Sequence, residues 1–68
     1  MTDADARWIL AAATSGELRA RVAELLSDHG QLHEGEPLGR TLVRIEAGLP
    51  RLAGLLRLAL SRDPRLAA

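Results

Sequence analysis

The chain has 68 residues and no net charge at neutral pH, with nine arginines balanced by nine acidic residues. The absence of cysteine excludes a disulfide framework, a thiolate metal site and a thiol nucleophile. The neutral total argues against a general affinity for nucleic acid. A single tryptophan is the only aromatic residue, so the predicted core is aliphatic and built mainly from 14 leucines.

The first predicted element is a helical arm over residues 3–29. Thr2 is a favourable N-cap, and the first turn is acidic, as the helix dipole prefers. Thr14 and Glu17 have capping-box spacing, which leaves open a division into two helices near Gly16. Apolar residues nevertheless keep their heptad spacing through this point, which favours one helix bent at Gly16.

A polar turn is predicted over residues 30–37, because Gly30 is a typical C-terminal cap and further glycine and proline follow it. His29 and His33 lie four residues apart, a spacing at which two histidines on one helix hold a metal. Since Gly30 should end the helix between them, we expect no metal site and no cofactor.

The second arm is predicted over residues 38–62, where leucines again recur at steps of four and three. Pro50 interrupts the pattern. A proline in a helix interior removes a hydrogen bond and costs about 3 kcal/mol. The apolar register continues through Pro50, so the sequence predicts a kink there rather than a loop.

Two such arms predict an all-α fold in one domain, an antiparallel helical hairpin of two long helices with the second kinked near Pro50. The second arm carries more leucine than one neighbouring helix can cover, and each leucine left in water forfeits about 1.5–3 kcal/mol. The hairpin is therefore expected to complete a four-helix bundle by dimerising or by docking on a partner. The predicted interface residues are Trp8, Leu49, Leu52, Leu55, Leu56, Leu58 and Leu60.

The sequence favours a non-catalytic helical interaction module, a small accessory or structural subunit of a homo- or hetero-oligomeric complex. Its partner would be itself, as a homodimer or higher oligomer, or a larger protein complex. The three serines are typical of helix caps or surface positions, and the glycines occur singly rather than in a phosphate-binding pattern. We therefore expect no enzymatic activity.

The charges are unevenly distributed along the chain. Residues 1–36 contain three arginines and seven acids, whereas residues 37–68 contain six arginines and two acids. The simpler interpretation is that the two halves neutralise each other on folding. The alternative hypothesis is a nucleic-acid-binding regulator that acts as a helical hairpin dimer through Arg40, Arg44 and Arg51, and in size and shape it is similar to small plasmid-control RNA-binding hairpin dimers.

Residues 38–46, LGRTLVRIE, resemble a helical stretch in gas-vesicle K-type proteins. The resemblance covers under a fifth of the chain, and it implies no role for any residue here.

The sequence predicts a cytoplasmic protein. No signal peptide is visible, and the longest apolar stretch, residues 52–60, is broken by Arg57 and is far below the roughly 20 residues that span a bilayer. All nine basic residues are arginine, which is typical of a GC-rich bacterial genome.

Overall fold

The computed structural model describes residues 2–67, which form an all-α fold of four helices and a terminal 3-10 turn and contain no strand. The elements are α1 (Asp3–Ala12), α2 (Ser15–Asp28), α3 (Leu38–Ile45), α4 (Pro50–Arg62) and the 3-10 turn (Pro64–Ala67). The predicted all-α class is confirmed. No helix within this range has the length and apolar character needed to cross a membrane.

The first predicted arm is two helices, and the break lies at residues 13–14 rather than at Gly16. Ala13 and Thr14 both have extended backbone angles. The Thr14 hydroxyl accepts a hydrogen bond from the backbone N–H of Glu17 at 3.3 Å and donates to the Glu17 carboxylate at 2.8 Å. This pairing of cap and glutamate starts α2. The expectation of one bent helix is therefore wrong, because the capping signal outweighs the continuous heptad spacing.

The second arm is also two helices, so the predicted kink at Pro50 is wrong. α3 ends at Ile45, residues 46–49 form a turn, and Pro50 is the first residue of α4. At a first helical position the missing N–H has no intrahelical partner to lose, and the fixed φ of proline suits the helix start. The loop therefore avoids the cost of a proline inside a helix.

α4 is the central helix, and it contacts each of the other helices and the 3-10 turn. Ala53, Leu56 and Ala59 on α4 have no exposed surface, and Leu55 is 1% exposed. The other buried apolar residues come from all four remaining elements and the first interhelical link: Ala6, Leu10, Ala13, Leu18, Val22, Leu25, Leu26, Ile45 and Leu66, with Leu52 of α4. The core is thus one aliphatic cluster built around α4.

α1 and α4 lie side by side and run in the same direction. Asp3, at the start of α1, forms an ion pair at 3.8 Å with Arg51, at the start of α4. At the other end, the Arg62 guanidinium donates to the carbonyl oxygens of Leu10 and Ala13, the latter at 2.7 Å. An antiparallel hairpin would place the start of the first arm beside the end of the second. The described residues are therefore not arranged as the predicted hairpin.

The leucines of the second arm are covered within the chain, which corrects the premise that this arm needs a partner to bury them. A hairpin would give the second arm one neighbouring helix. The two additional breaks instead produce four short helices, and three of them together with the 3-10 turn surround α4. Dimerisation is therefore not needed to bury this face.

Candidate functional site

The single aromatic side chain of the sequence, Trp8, projects into solvent. Ala6 and Leu10 are the buried residues of α1. At 100° per residue, Trp8 lies roughly 180° from their midpoint, on the outer side of the helix. Its exposure is 73%. The aliphatic core therefore does not include Trp8, the largest apolar side chain of the sequence.

The outer side of α1 is apolar around this tryptophan. Three alanines share it and are exposed, and together they form what we call the Trp8 face: Ala4, Trp8, Ala11 and Ala12. A helix side that meets only water normally carries polar residues. Asp5 and Arg7 lie at its two flanks, so the face has a negative and a positive border. α1 is therefore apolar on the side that packs and on the side that does not.

An open groove lies between α2, the loop before α3 and the first turn of α3, with a volume of about 560 Å³. Buried or partly buried side chains form its floor, and exposed side chains form its rim. We define this α2–α3 groove by the floor residues Ala23, Leu26, Glu36, Leu38 and Thr41 and the rim residues Arg19, Leu32 and Glu34.

The Trp8 face and the α2–α3 groove lie on opposite flanks of α2. One flank lines hollows shared with α1, through Glu17, Arg21 and Glu24. The other flank, which includes Arg19 and Leu26, lines the groove. At 100° per residue the two flanks are roughly 160° apart. Trp8 therefore does not reach the groove of its own chain.

The charges bordering these two surfaces are not used in the ion pairs found within residues 2–67. Asp5 and Arg7 border the Trp8 face, and Arg19 and Glu34 are on the groove rim. The ion pairs of that range engage other residues, as where Arg21 bridges two glutamates of α2. The cation and the carboxylate that border each surface thus form no close ion pair within the described chain, although the side-chain hydrogen bond from Arg65 and, to a smaller extent, the charge of Arg19 lower the pKa of Asp63.

Arg44 fixes the loop that forms one wall of the groove. Its Nε and Nη2 donate to the Glu36 carboxylate at 3.0–3.2 Å, and its Nη1 and Nη2 donate to the side-chain and backbone oxygens of Gln31 at 2.8 and 2.9 Å. The buried Thr41 hydroxyl donates to Glu36 at 2.7 Å. The hydrogen bonds from Arg44 and then Thr41 hold the pKa of Glu36 below its ordinary value.

This network bears on the hypothesis that three arginines of the second arm bind nucleic acid. Arg44 already donates most of its N–H groups within the chain and has a 30% exposed side chain. Arg44 is therefore a structural residue, and it is not available for the nucleic-acid contact that the alternative hypothesis assigns to it. Arg40 and Arg51 are exposed, and Arg51 lies 3.8 Å from Asp3.

The predicted interface residues fall into three groups. Leu52, Leu55 and Leu56 are at most 3% exposed inside the chain's own core, so they present no surface to a partner. Heptad spacing marks residues that become buried, and it does not distinguish burial within a chain from burial between chains. The partly buried members, which pack against the core, are Leu49, Leu58 and Leu60. Trp8 alone of the seven is exposed.

The histidine pair does not lie on one helix. His29 is the C-cap of α2, and its Nδ1 is 2.9 Å from the Leu25 carbonyl oxygen. Gly30 follows with a φ of +68°, and His33 lies in the loop beyond it. Among residues 2–67, no three of His, Cys, Asp and Glu gather in a way that would hold a metal ion.

The α2–α3 groove was not foreseen from the sequence. Arg19 and Glu34 have the pattern of ordinary surface charges, and they come together only when the loop folds beside α2. The capping residues that end α2 and start α3 were visible, but they do not give the path of the loop between them.

Comparison with models of known protein families, with curated proteins and with solved structures gives no match to this chain. Its function is therefore inferred from the two surfaces described above.

Proposed function

We propose that this chain is a non-catalytic helical protein–protein interaction module, a small subunit of an oligomeric assembly, and that the Trp8 face is its contact surface. The observation that carries the proposal is the 73% exposure of Trp8 on a helix side that is otherwise alanine. Tryptophan is among the residues most enriched at the energetic centres of protein interfaces.

The surroundings of Trp8 suit close contact with a protein. Alanines on either side of the indole leave a low surface along α1, which a partner backbone can approach, and Glu17 and Arg21 of α2 line a hollow beside it. The exposed indole offers roughly 150 Å² of removable surface, which corresponds to about 4 kcal/mol before the costs of association. This free energy is enough to anchor a contact, and folding of the single chain does not gain it because Trp8 stays exposed.

The test uses Trp8 as its own reporter, because the sequence has no other aromatic residue. The dilute isolated chain should show the emission of a water-exposed indole and full quenching by acrylamide. In the complex isolated from the native host, Trp8 should be protected from acrylamide and its emission should shift to shorter wavelength.

Trp8→Ala should weaken assembly by roughly 30-fold or more, as expected for a contact worth at least 2 kcal/mol. Val43→Ala is the matched control, because Val43 is also 73% exposed but lies on α3. Both variants should keep the wild-type circular dichroism spectrum. Two results would refute the proposal. Acrylamide could quench Trp8 fully in every fraction isolated from the native host, or the two variants could lose assembly to the same extent.

A further inference from the structure

The α2–α3 groove has the character of a socket for an apolar side chain. Its floor combines the apolar side chains of Ala23, Leu26 and Leu38 with the hydrogen-bonded Glu36 and Thr41, and its volume of about 560 Å³ lies within the range of clefts that accept small organic groups, roughly 300–1,000 Å³. The hydrogen bonds of Arg44 to Glu36 hold its loop wall in place. The socket is therefore formed before anything binds.

The same chain carries a side chain of the matching kind. Trp8 projects from a low alanine surface and is smaller than the groove, and it lies on the opposite flank of α2. A knob and a socket on opposite sides of one molecule meet only when they belong to different molecules.

The borders of the two surfaces are complementary in charge. The Trp8 face has Arg7 on one flank and Asp5 on the other. The groove has Glu34 on its loop wall and Arg19 on its α2 wall. Seating the knob in the socket with Arg7 beside Glu34 also brings Asp5 to the side of Arg19. Each of these four charged groups, which form no close ion pair within the described chain, then meets a group of opposite charge.

Building on the proposed function, we propose that the occupant of the α2–α3 groove is Trp8 of a second copy of this chain, so that copies associate head to tail. Each copy offers one knob and one socket, and the contact is heterologous rather than two-fold symmetric. Such contacts grow into rings or open chains instead of stopping at a dimer. The contact is centred on one side chain, so association is expected to be weak and to require a high protein concentration.

Complementation between two variants tests this arrangement by sedimentation equilibrium. Trp8→Ala removes the knob and leaves the socket, whereas Leu32→Glu, at a 50% exposed rim position, places a carboxylate at the socket and leaves the knob. Each variant alone should be monomeric up to about 1 mM, where the wild type exceeds the mass of a dimer. An equimolar mixture should form a complex of one copy of each and grow no further. Val43→Glu, a carboxylate at a position outside both surfaces, should behave as the wild type.

Charge-reversal variants at the borders of the two surfaces provide a second test. Arg7→Glu or Glu34→Arg alone should weaken association by up to about fivefold, as expected for one exposed ion pair, and the two changes together in one chain should restore it. Failure of the double variant to recover would overturn the arrangement.

Three further outcomes would also overturn head-to-tail association. One is self-association of Leu32→Glu alone, which indicates a symmetric Trp8 contact. Another is a mixture of the two variants that stays monomeric while the wild type associates. The third is a wild type that is monomeric at about 1 mM. If Trp8 is protected in the complex from the host in that last case, the proposed function stands and its partner is a different protein.

Discussion

Replacing Leu55 by alanine tests whether α4 is covered within a single chain. Leu55 is 1% exposed, although it was predicted at an intermolecular face because it widens the apolar side of the second arm beyond what one neighbouring helix can cover. Leu58, three residues further along the same helix, is partly buried and provides a matched control. The two substitutions have the same effect on helix propensity. A difference between them therefore reports the difference in burial.

The expected loss is large relative to the stability of so short a chain. A fully buried leucine replaced by alanine costs about 2–5 kcal/mol. A 68-residue domain is stable by about 3–10 kcal/mol, from roughly 0.05–0.15 kcal/mol per residue. A loss of about 3 kcal/mol should lower the Tm by roughly 12–24 °C. Leu58→Ala should cost about 1 kcal/mol, because part of that side chain stays in water in the folded state.

Thermal and urea unfolding followed by far-ultraviolet circular dichroism, at a few micromolar protein, measures both variants. Two results would refute the reasoning. Leu55→Ala could prove no more destabilising than Leu58→Ala, which would mean that the α4 core is not packed as described. Alternatively, the wild-type Tm could rise steeply with protein concentration in this dilute range, which would mean that the core is completed between copies.

Three further predictions concern the loop and two of the glycines. The lowered pKa of Glu36 makes its contribution to stability complete above the ordinary glutamate pKa of about 4.3 and lost as the pH falls through the lowered value. Glu36→Gln should therefore reduce the acid-side fall in Tm, and an unchanged profile of Tm against pH would contradict this. Gly54 lies within α4 with open space where a Cβ would be added, so Gly54→Ala should stabilise the chain by about 0.5–1 kcal/mol in urea unfolding. Gly30 has a φ of +68°, so Gly30→Ala should instead cost about 1–2 kcal/mol, and equal effects at the two positions would show that the helix end is misassigned.

Local chemistry in the sequence was enough to predict the helices and several of their ends. Thr2 caps α1, Thr14 starts α2 and Gly30 follows the end of α2, each by the mechanism that its residue type suggests. The structure differs from the predicted hairpin because heptad spacing indicates which residues become buried but not where the chain reverses direction. Residues 13–14 and 46–49 turn the chain without disturbing that spacing. The direction of α1 relative to α4 depends on these turns.

The candidate site was predictable only in part, and α1 shows why. Trp8 was predicted as an interface residue, and Ala4 and Ala11, which share its heptad spacing in the sequence, lie with it on the outer side of α1. The side that packs on α4 carries Ala6 and Leu10. A helix that is apolar on both sides has no periodicity that selects one of them. The tertiary contacts with α4 decide which side of α1 is buried, and local patterns in a single sequence do not reveal those contacts.

The parallel packing of α1 on α4 has a consequence for the synthesis of this chain. The ribosome makes α1 first, and the helix that covers it is begun only at Pro50. A ten-residue helix is shorter than the roughly 12–15 residues that an isolated helix needs in water, so α1 depends on packing against α2 and, above all, against α4. Its segment WILAAA is meanwhile available to chaperones and proteases. A ribosome stalled before residue 50 therefore displays α1 without the helix on which it packs, and the core around α4 forms only after α4 has left the ribosome.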